Sequence, residues 1–232
     1  MTIIKKNIID IRQKIEHAAL QVERNTKEIQ LLAVSKKKSI IQIKEAYLAG
    51  QRLFGENYVQ ESIQKIQSIK NDCTFNDPIC WHFIGPLQSN KTRLVAENFD
   101  WVQSIDRLKI AQRLSSQRPA RLAPLNICLQ INISAETSKS GITLAQIMLL
   151  ASQVSKLENI KLRGIMAIPE KTPDTVHLSK QFKILHDIYL KLQSIYPDID
   201  TLSMGMSADM KLAISCGSTM VRIGTDIFGS RN

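Results

Sequence analysis

Eight short apolar runs alternate with longer amphipathic stretches along this chain, and that alternation restricts the fold more than any other feature of the sequence. Each run is followed by Gly, Pro, Ser or a charged residue, as buried strands commonly are. We predict strands at 31–35, 52–54, 81–84, 101–105, 125–133, 162–168, 201–204 and 220–223. Between them, apolar residues recur every three or four positions, which indicates helices that cover the strands.

Strands separated by helices pair in parallel, because the chain must cross back over the sheet between one strand and the next. Eight such units in 232 residues predict an α/β fold, a (β/α)8 TIM barrel, as one domain over residues 1–232. The isoleucines at positions 4, 8, 11 and 15 predict an additional N-terminal helix. A doubly wound open sheet is the alternative, because the same alternation builds both folds.

The composition is that of a globular protein in a reducing compartment. Hydrophobic residues make up 44% of the chain and charged residues 22%, which excludes a disordered protein. No apolar run approaches the roughly 18 residues that span a bilayer, and no secretory signal is visible, so we expect a cytoplasmic protein. The cysteines and histidines show no ligand spacing, so we expect no disulfide and no metal site; they are Cys73, Cys80, Cys128, Cys216, His17, His82, His177 and His186.

The formal net charge of +10 raises nucleic-acid binding as a hypothesis. Lysines and arginines are spread over most segments, however, and no basic stripe interleaved with aromatic residues is present. We therefore expect the charge to favour small anionic ligands, with nucleic-acid binding as the alternative. No segment resembles a dedicated dimer interface, so we expect a monomer.

The carboxyl ends of the strands form one rim of a barrel, and barrels carry their functional residues there. Strand one ends in three consecutive lysines. Because side chains alternate along a strand, Lys36 and Lys38 share a face, whereas Lys37 faces the other way; this parity disfavours Lys37 and leaves the other two open. The remaining rim positions, in strand order, are Asn57, His82, Gly85, Asn132, Met166, Gly205, Ser207, Arg222, Gly224 and Thr225.

The ends of strands seven and eight suggest a phosphate site. Ser207 and Thr225 supply hydroxyls, while Gly205 and Gly224 allow backbone amides to approach an anion closely. The alternative is that both hydroxyls only cap the helices that follow. A phosphate pocket there, a lysine on the neighbouring strand one and Arg222 between them form the arrangement that pyridoxal 5′-phosphate (PLP) requires, because its aldehyde must meet an amine while its phosphate is anchored elsewhere.

Several separated motifs resemble those of a known family. They are LLAVSK at 31–36, LFGENYVQE at 53–61, WHFIGPLQSNK at 81–91, NISAETSKSGI at 132–142, LRGIMAIPE at 162–170, LSMGMSADM at 202–210 and MVRIGTDIFGSR at 220–231. Together they resemble the pyridoxal phosphate homeostasis protein family, whose members are single-domain relatives of the N-terminal barrel of alanine racemase.

The resemblance implies that Lys36, rather than Lys38, holds PLP as a Schiff base. It also implies that Ser207, Gly224 and Thr225 contact the phosphate, that Arg222 faces the pyridine nitrogen and that Asn57 lies near the ring.

The function that the resemblance implies is intracellular PLP homeostasis without evident catalytic turnover, with PLP-requiring apoenzymes as transient partners. Racemases of the related kind take a second base from a β-domain, and we expect no such domain here. An arginine at the pyridine nitrogen also weakens the ring as an electron sink. A PLP-dependent, racemase-like enzyme is the alternative.

Overall fold

Eight parallel strands close into a barrel, in which each strand pairs with the next and β8 pairs with β1. The structure, a computed structural model, describes residues 2–134, 136, 140–170 and 172–230. The predicted barrel is confirmed, and the doubly wound open sheet is wrong. The strands are β1 Gln30–Val34, β2 Leu53–Glu56, β3 Cys80–Phe83, β4 Trp101–Ile105, β5 Leu125–Ile131, β6 Ile160–Ala167, β7 Thr201–Ser203 and β8 Met220–Ile223.

Helices surround the barrel as the outer layer. Short 3-10 turns at Thr26–Glu28, Ser89–Lys91 and Leu144–Gln146 precede β1, α4 and α6. In the described part of the chain, the helices are α1 Ile3–Leu20, α2 Ile40–Leu48, α3 Val59–Lys70, α4 Thr92–Asn98, α5 Leu108–Gln117, α6 Ile147–Val154, α7 Thr175–Ile195, α8 Met210–Ser215 and α9 Thr225–Phe228.

The N-terminal helix α1 occupies the place that a helix after β8 fills in a regular barrel. The helix that does follow β8, α9, has only four residues and is too short to cover β8 and β1. Instead, α1 packs against α2, α8 and α9, and Asn7 Nδ2 donates a hydrogen bond to Ile227 O in α9 at 2.9 Å. Its buried apolar stripe consists of Ile4, Ile8, Ile11, Ile15, Ala18 and Ala19.

The barrel interior is separate from the main apolar core, which lies between the strands and the helices. The main core unites α1 with the outward-facing residues of the strands. Inside the barrel, Trp101, Cys128 and Met166 form their own small apolar cluster. Buried polar residues share this interior and lead towards the carboxyl-terminal mouth of the barrel; they are His82, Gln103, Ser203 and Arg222.

Strand β2 extends two residues beyond the predicted strand 52–54, because Gly55 and Glu56 also belong to β2. Gly55 pairs with His82, and Glu56 pairs with Phe83. A Cβ atom at Gly55 would lie 3.2 Å from Ile84 Cδ1 and 3.3 Å from Leu32 side-chain atoms. The glycine therefore permits close packing inside the barrel rather than a change of chain direction. Parts of the motif at 132–142 and both ends of the predicted domain 1–232 lie outside the described residues.

Replacing Ile8 by alanine should lower the free energy of unfolding by about 2–5 kcal/mol, because a fully buried side chain under α1 is lost. Urea unfolding followed by circular dichroism measures the change. Ile3 on the same helix is 76% exposed, so Ile3→Ala is the matched control and should change stability by less than about 0.5 kcal/mol. Equal stability of the two variants would show that α1 is not part of the barrel's outer layer.

Candidate functional site

The turn after β1 carries Lys36 at the carboxyl-terminal mouth of the barrel. Val34 pairs with Gly55, so Lys36 and Asn57 follow at matching positions, each two residues further along its chain segment. Lys38 N donates to Ser35 O at 3.0 Å and closes the turn. Lys36 is half-buried there.

The amines of the two neighbouring lysines, Lys37 and Lys38, contact other parts of the chain. Lys38 Nζ donates to the carbonyl oxygens of Phe228, Gly229 and Ser230 at 3.3, 3.1 and 2.9 Å. Lys37 is exposed, and its amine lies 5.7 Å from the centre of the Tyr58 ring. The amine of Lys38, the alternative that strand parity leaves open, is therefore fixed at the end of α9.

Arg222 lies below the mouth and is 4% exposed. Its Nη1 donates to Ser203 O and to Ser203 Oγ, both at 2.7 Å, and its Nη2 donates to Ala167 O at 2.8 Å. Burial lowers the pKa of the guanidinium to about 10, although the negative charge of Asp209 opposes the shift. Arg222 therefore remains protonated at neutral pH and places a fixed positive charge under the mouth.

Two glycine-containing turns flank Arg222. Gly205, after β7, has a φ of +94°, and a Cβ atom there would lie 2.5 Å from Ala213 Cβ, so only glycine fits. Its carbonyl accepts a hydrogen bond from Arg222 N at 3.0 Å, which ties this turn to β8. Gly224, after β8, leads directly into α9, and its Cα faces Val34 of β1.

The capping roles considered for Ser207 and Thr225 are wrong. Helix α8 begins at Met210 with Asp209 as its N-cap residue, and α9 has Gly224 as its N-cap residue; neither helix has a side-chain cap hydrogen bond. Asp209 Oδ1 instead accepts from Met206 N at 2.5 Å within the turn. Both hydroxyls lie near helix N-termini without capping them. There they can contact an anion together with the backbone amides of the first helical turn.

A cavity of about 210 Å³ opens beside Asn57, lined by the polar residues Gln130 and Asn132 and by Ile84 and Ile168. Asn57 Oδ1 is buried and accepts no hydrogen bond from the described residues. Gly85 lets the chain pass close to Asn57, because a Cβ atom at position 85 would lie 2.3 Å from Asn57 O. Asn57 is therefore firmly placed and presents an unused acceptor near the cavity.

Two residues that hold Arg222 were missed in the sequence. Ser203 Oγ donates to Gln103 Oε1 at 2.7 Å, and Gln103 Nε2 lies 2.9 Å from His82 Nδ1. All of these side chains are buried in the barrel interior. The signal in the sequence that could have found them is a polar residue at an inward-facing position within a strand, before the strand end.

The predicted position of His82 at the rim is wrong, because His82 lies inside the barrel and is fully buried. Its ring stacks on Trp101 with 5.0 Å between the centroids. Burial lowers the imidazole pKa to about 3, so the ring is neutral at physiological pH. Met166 is also fully buried beside Trp101 rather than exposed at the rim. Both side chains therefore lie in the barrel interior, beneath the carboxyl-terminal mouth.

Among the residues that are described, no group of three or more His, Cys, Asp or Glu side chains is placed to hold a metal ion. No described helix is both long and apolar enough to cross a membrane.

The fold and the mouth define a class of protein, the closed parallel barrel with a half-buried lysine, a buried arginine and two glycine-containing turns at its carboxyl-terminal mouth. Residues 10–232 match the family model for the alanine racemase N-terminal domain. A relative from Pasteurella multocida, named pyridoxal phosphate homeostasis protein, is 53% identical over 231 residues, which cover 99% of this chain and 98% of that protein. The chain therefore belongs to the pyridoxal phosphate homeostasis protein family, and the resemblance is confirmed.

Solved structures agree with this assignment. PipY of Synechococcus elongatus PCC7942, in a structure with PLP bound, has a TM-score of 0.82 at 33% identity, with 97% of this chain and 100% of that chain covered. A structure of an unknown protein from Bifidobacterium adolescentis has a TM-score of 0.92 at 32% identity, with coverages of 97% and 94%.

His82 should make the protein less stable as the pH falls from 6.5 towards 3. The imidazole pKa is about 6.5 in the unfolded chain and about 3 in the fold, so the unfolded chain binds the extra proton between these values. Between pH 7 and pH 5, His82 should account for a loss of about 2 kcal/mol.

Urea unfolding at both pH values tests this prediction, with His82→Gln as the comparison. The variant cannot titrate at this position, so its stability should fall less than that of the wild type over the same interval. Equal falls for the two proteins would contradict a neutral, buried His82.

Proposed function

We propose that this protein binds PLP at the mouth of the barrel and takes part in controlling the free cofactor in the cytoplasm. The observation that carries the proposal is the pairing of β8 with β1, which sets Arg222 beside Leu32. The lysine after β1 and the glycine-containing turn after β8 thereby face the same mouth. The names of the curated relatives and the PLP in the PipY structure support this proposal.

The residues at the mouth fit the parts of PLP one by one. The backbone amides at the start of α9, with the hydroxyls of Ser207 and Thr225, suit the phosphate dianion. The Lys36 amine suits the aldehyde, and the unused Asn57 acceptor lies near the place for the ring. Bound PLP supplies an aldehyde that condenses reversibly with an amine, and a ring that withdraws electrons.

Arg222 suits binding better than turnover. Its guanidinium is held by Ser203 and Ala167 and stays protonated at neutral pH. We assign to it the place opposite the pyridine nitrogen, where a fixed positive charge disfavours a proton on that nitrogen. An unprotonated ring withdraws electrons more weakly.

Two tyrosines, Tyr47 and Tyr189, are not placed to supply a second base for racemisation. Tyr47 Oη donates to Asp77 O at 3.2 Å, and Tyr189 Oη accepts from Gln193 Nε2 at 3.1 Å. Asp77 precedes β3, and Gln193 precedes β7. Both hydroxyls therefore lie at the amino-terminal end of the barrel, far from the mouth.

The proposed role is reversible storage and release of PLP, rather than catalysis. The curated relatives are named as homeostasis proteins, not as enzymes. PLP-requiring apoenzymes are the transient partners in this proposal, and the protein acts as a monomer. Release to an apoenzyme is favoured by a mouth that anchors the phosphate through amides and hydroxyls, since these contacts exchange readily with water.

Replacing Lys36 by alanine should abolish the borohydride-reducible PLP adduct, because the amine that condenses with the aldehyde is gone. Mass spectrometry of the reduced protein, before and after peptide cleavage, measures the adduct and its position. Lys38→Ala is the comparison and should keep the adduct at saturating PLP, since the Lys38 amine contacts residues 228–230. An adduct retained in Lys36→Ala, or absent from the wild type, would contradict the assignment of Lys36 as the amine that binds PLP.

Incubation with PLP and amino acids in deuterium oxide should give no exchange of the α-hydrogen. The reason is that the fixed positive charge of Arg222 weakens the ring as an electron sink. Proton nuclear magnetic resonance of the amino acids measures the exchange, with a PLP-dependent racemase as the positive control. Exchange that disappears in Lys36→Ala would favour the racemase-like alternative.

A further inference from the structure

A buried charged cluster lies directly behind the Lys36 turn, formed by Glu56 at the end of β2 and by Glu61 and Lys65 on α3. We call it the acid–lysine cluster. The Lys65 side chain is 8% exposed and the Glu56 side chain is fully buried. Lys65 Nζ donates to Glu56 Oε1 at 2.9 Å and to Glu61 Oε1 at 2.5 Å, and its third hydrogen bond goes to Ser35 O at 2.9 Å. All three protons of the amine are therefore used.

The cluster contacts the residues on both sides of Lys36. Before it, Ser35 Oγ donates to Glu56 Oε1 at 2.7 Å, in addition to the bond from Lys65 to Ser35 O. After it, Lys37 N donates to Glu61 Oε1 at 2.6 Å. The backbone of the lysine-bearing turn is thus fixed at two points, one on each side of Lys36.

The backbone of the turn needs this support. Lys37 has a φ of +59°, in the left-handed region that residues other than glycine seldom adopt. The hydrogen bond from Lys37 N to Glu61 holds that conformation in place. Without the cluster, the turn is free to relax, and the position of the Lys36 side chain changes with it.

The cluster does not itself face the ligand site. Side chains alternate along β2, and Gly55 packs inside the barrel against Leu32, so Glu56 points outward towards α3. Buried ion pairs are also an inefficient source of stability, because apolar residues of similar size often stabilise as well or better. Burial raises the pKa of Glu56 despite the nearby Lys65 charge, which reflects this desolvation. Geometric control of the turn accounts for the cluster better than stability does.

We infer that Lys65 is a positioning residue for Lys36, acting through Ser35 and Glu61. This inference rests on the proposed function and adds to it the side chains that hold the reactive amine in position. In the step concerned, the Lys36 nitrogen adds to the aldehyde carbon of PLP, and one water leaves as the C=N bond forms. Because the phosphate is anchored separately, a displaced amine meets the aldehyde less often, and displacements of about 1 Å can slow such a reaction about a hundredfold.

The test compares Lys65→Met with the wild type, using one ligand that has the aldehyde and one that lacks it. PLP reports on the covalent step through the rate at which a borohydride-reducible adduct forms. 4′-Deoxypyridoxine 5′-phosphate reports on the ring and phosphate contacts alone, through its dissociation constant. Lys70→Met is the matched control, because Lys70 is an exposed lysine on the same helix.

Lys65→Met should form the adduct about tenfold more slowly or worse, with little change in the dissociation constant of the analogue. Lys70→Met should match the wild type in both measurements. An unchanged rate in Lys65→Met, or an equal loss for both ligands, would overturn the positioning role. A wild-type protein that binds the analogue but forms no adduct would instead refute the proposed function.

Glu61→Ala keeps the inference testable if Lys65→Met fails to fold. Glu61 is partly exposed, and its removal takes away the acceptor for Lys37 N while leaving the Glu56 to Lys65 pair. Circular dichroism confirms the fold before the binding measurements. A slower adduct formation with unchanged analogue binding would support the inference, and unchanged adduct formation would refute it.

Discussion

The parallel pairing of β8 with β1 is the constraint on which the rest of this structure depends. It joins the two ends of the sheet, with Leu32 opposite Arg222 and Ala33 opposite Ile223. In an open sheet, a lysine near the start of the chain and an arginine near its end would lie at opposite edges. Closure places them at one mouth, where one ligand can contact both.

Contacts outside the sheet reinforce this junction between the first and last strands. Helix α1 covers it where α9 is too short, and Asn7 bonds to Ile227 in α9. Lys38 reaches from the turn after β1 to the carbonyls of 228–230 at the end of α9. The lysine-bearing turn and the helix that begins at the proposed phosphate site are therefore held to each other directly.

Two polar systems support the mouth from behind, one on each side of the barrel wall. Inside the barrel, Arg222 is hydrogen-bonded to Ser203, and Ser203 is hydrogen-bonded to Gln103. The neutral His82 extends this hydrogen-bond network through its contact with Gln103. Outside, the acid–lysine cluster holds the Lys36 turn against α3. Buried polar groups are costly unless they are satisfied, and Glu56 Oε2 in the second network has no hydrogen-bond partner among the described residues. The hydrogen bonds that the two networks do form fix the geometry of the side chains that they join. The first network ends at Arg222, and the second ends at the residues on either side of Lys36.

Most of the fold was predictable because the strands and helices obey their own local periods. Strand β4 and strand β8 were predicted at their observed bounds, and the stripe of α1 was visible in the isoleucines. Gly55 was left outside the predicted strand 52–54, because a glycine that allows close packing and a glycine that turns the chain are identical in sequence. The placement of His82 failed for a related reason: its position along the strand says which way it points but not how deep it lies.

The sequence by itself determined the alternation that makes a parallel barrel, the lysine-bearing end of strand one and the motifs that identify the family. Tertiary structure alone decided that the Lys38 amine is bound at the end of α9, since its partners lie about 190 residues away along the chain. It also decided that Ser203 and Gln103 support Arg222 and that Lys65 supports the turn. The physical reason is that strand register and barrel closure depend on long-range packing, whereas periodicity in a sequence records only which side of a local element is buried.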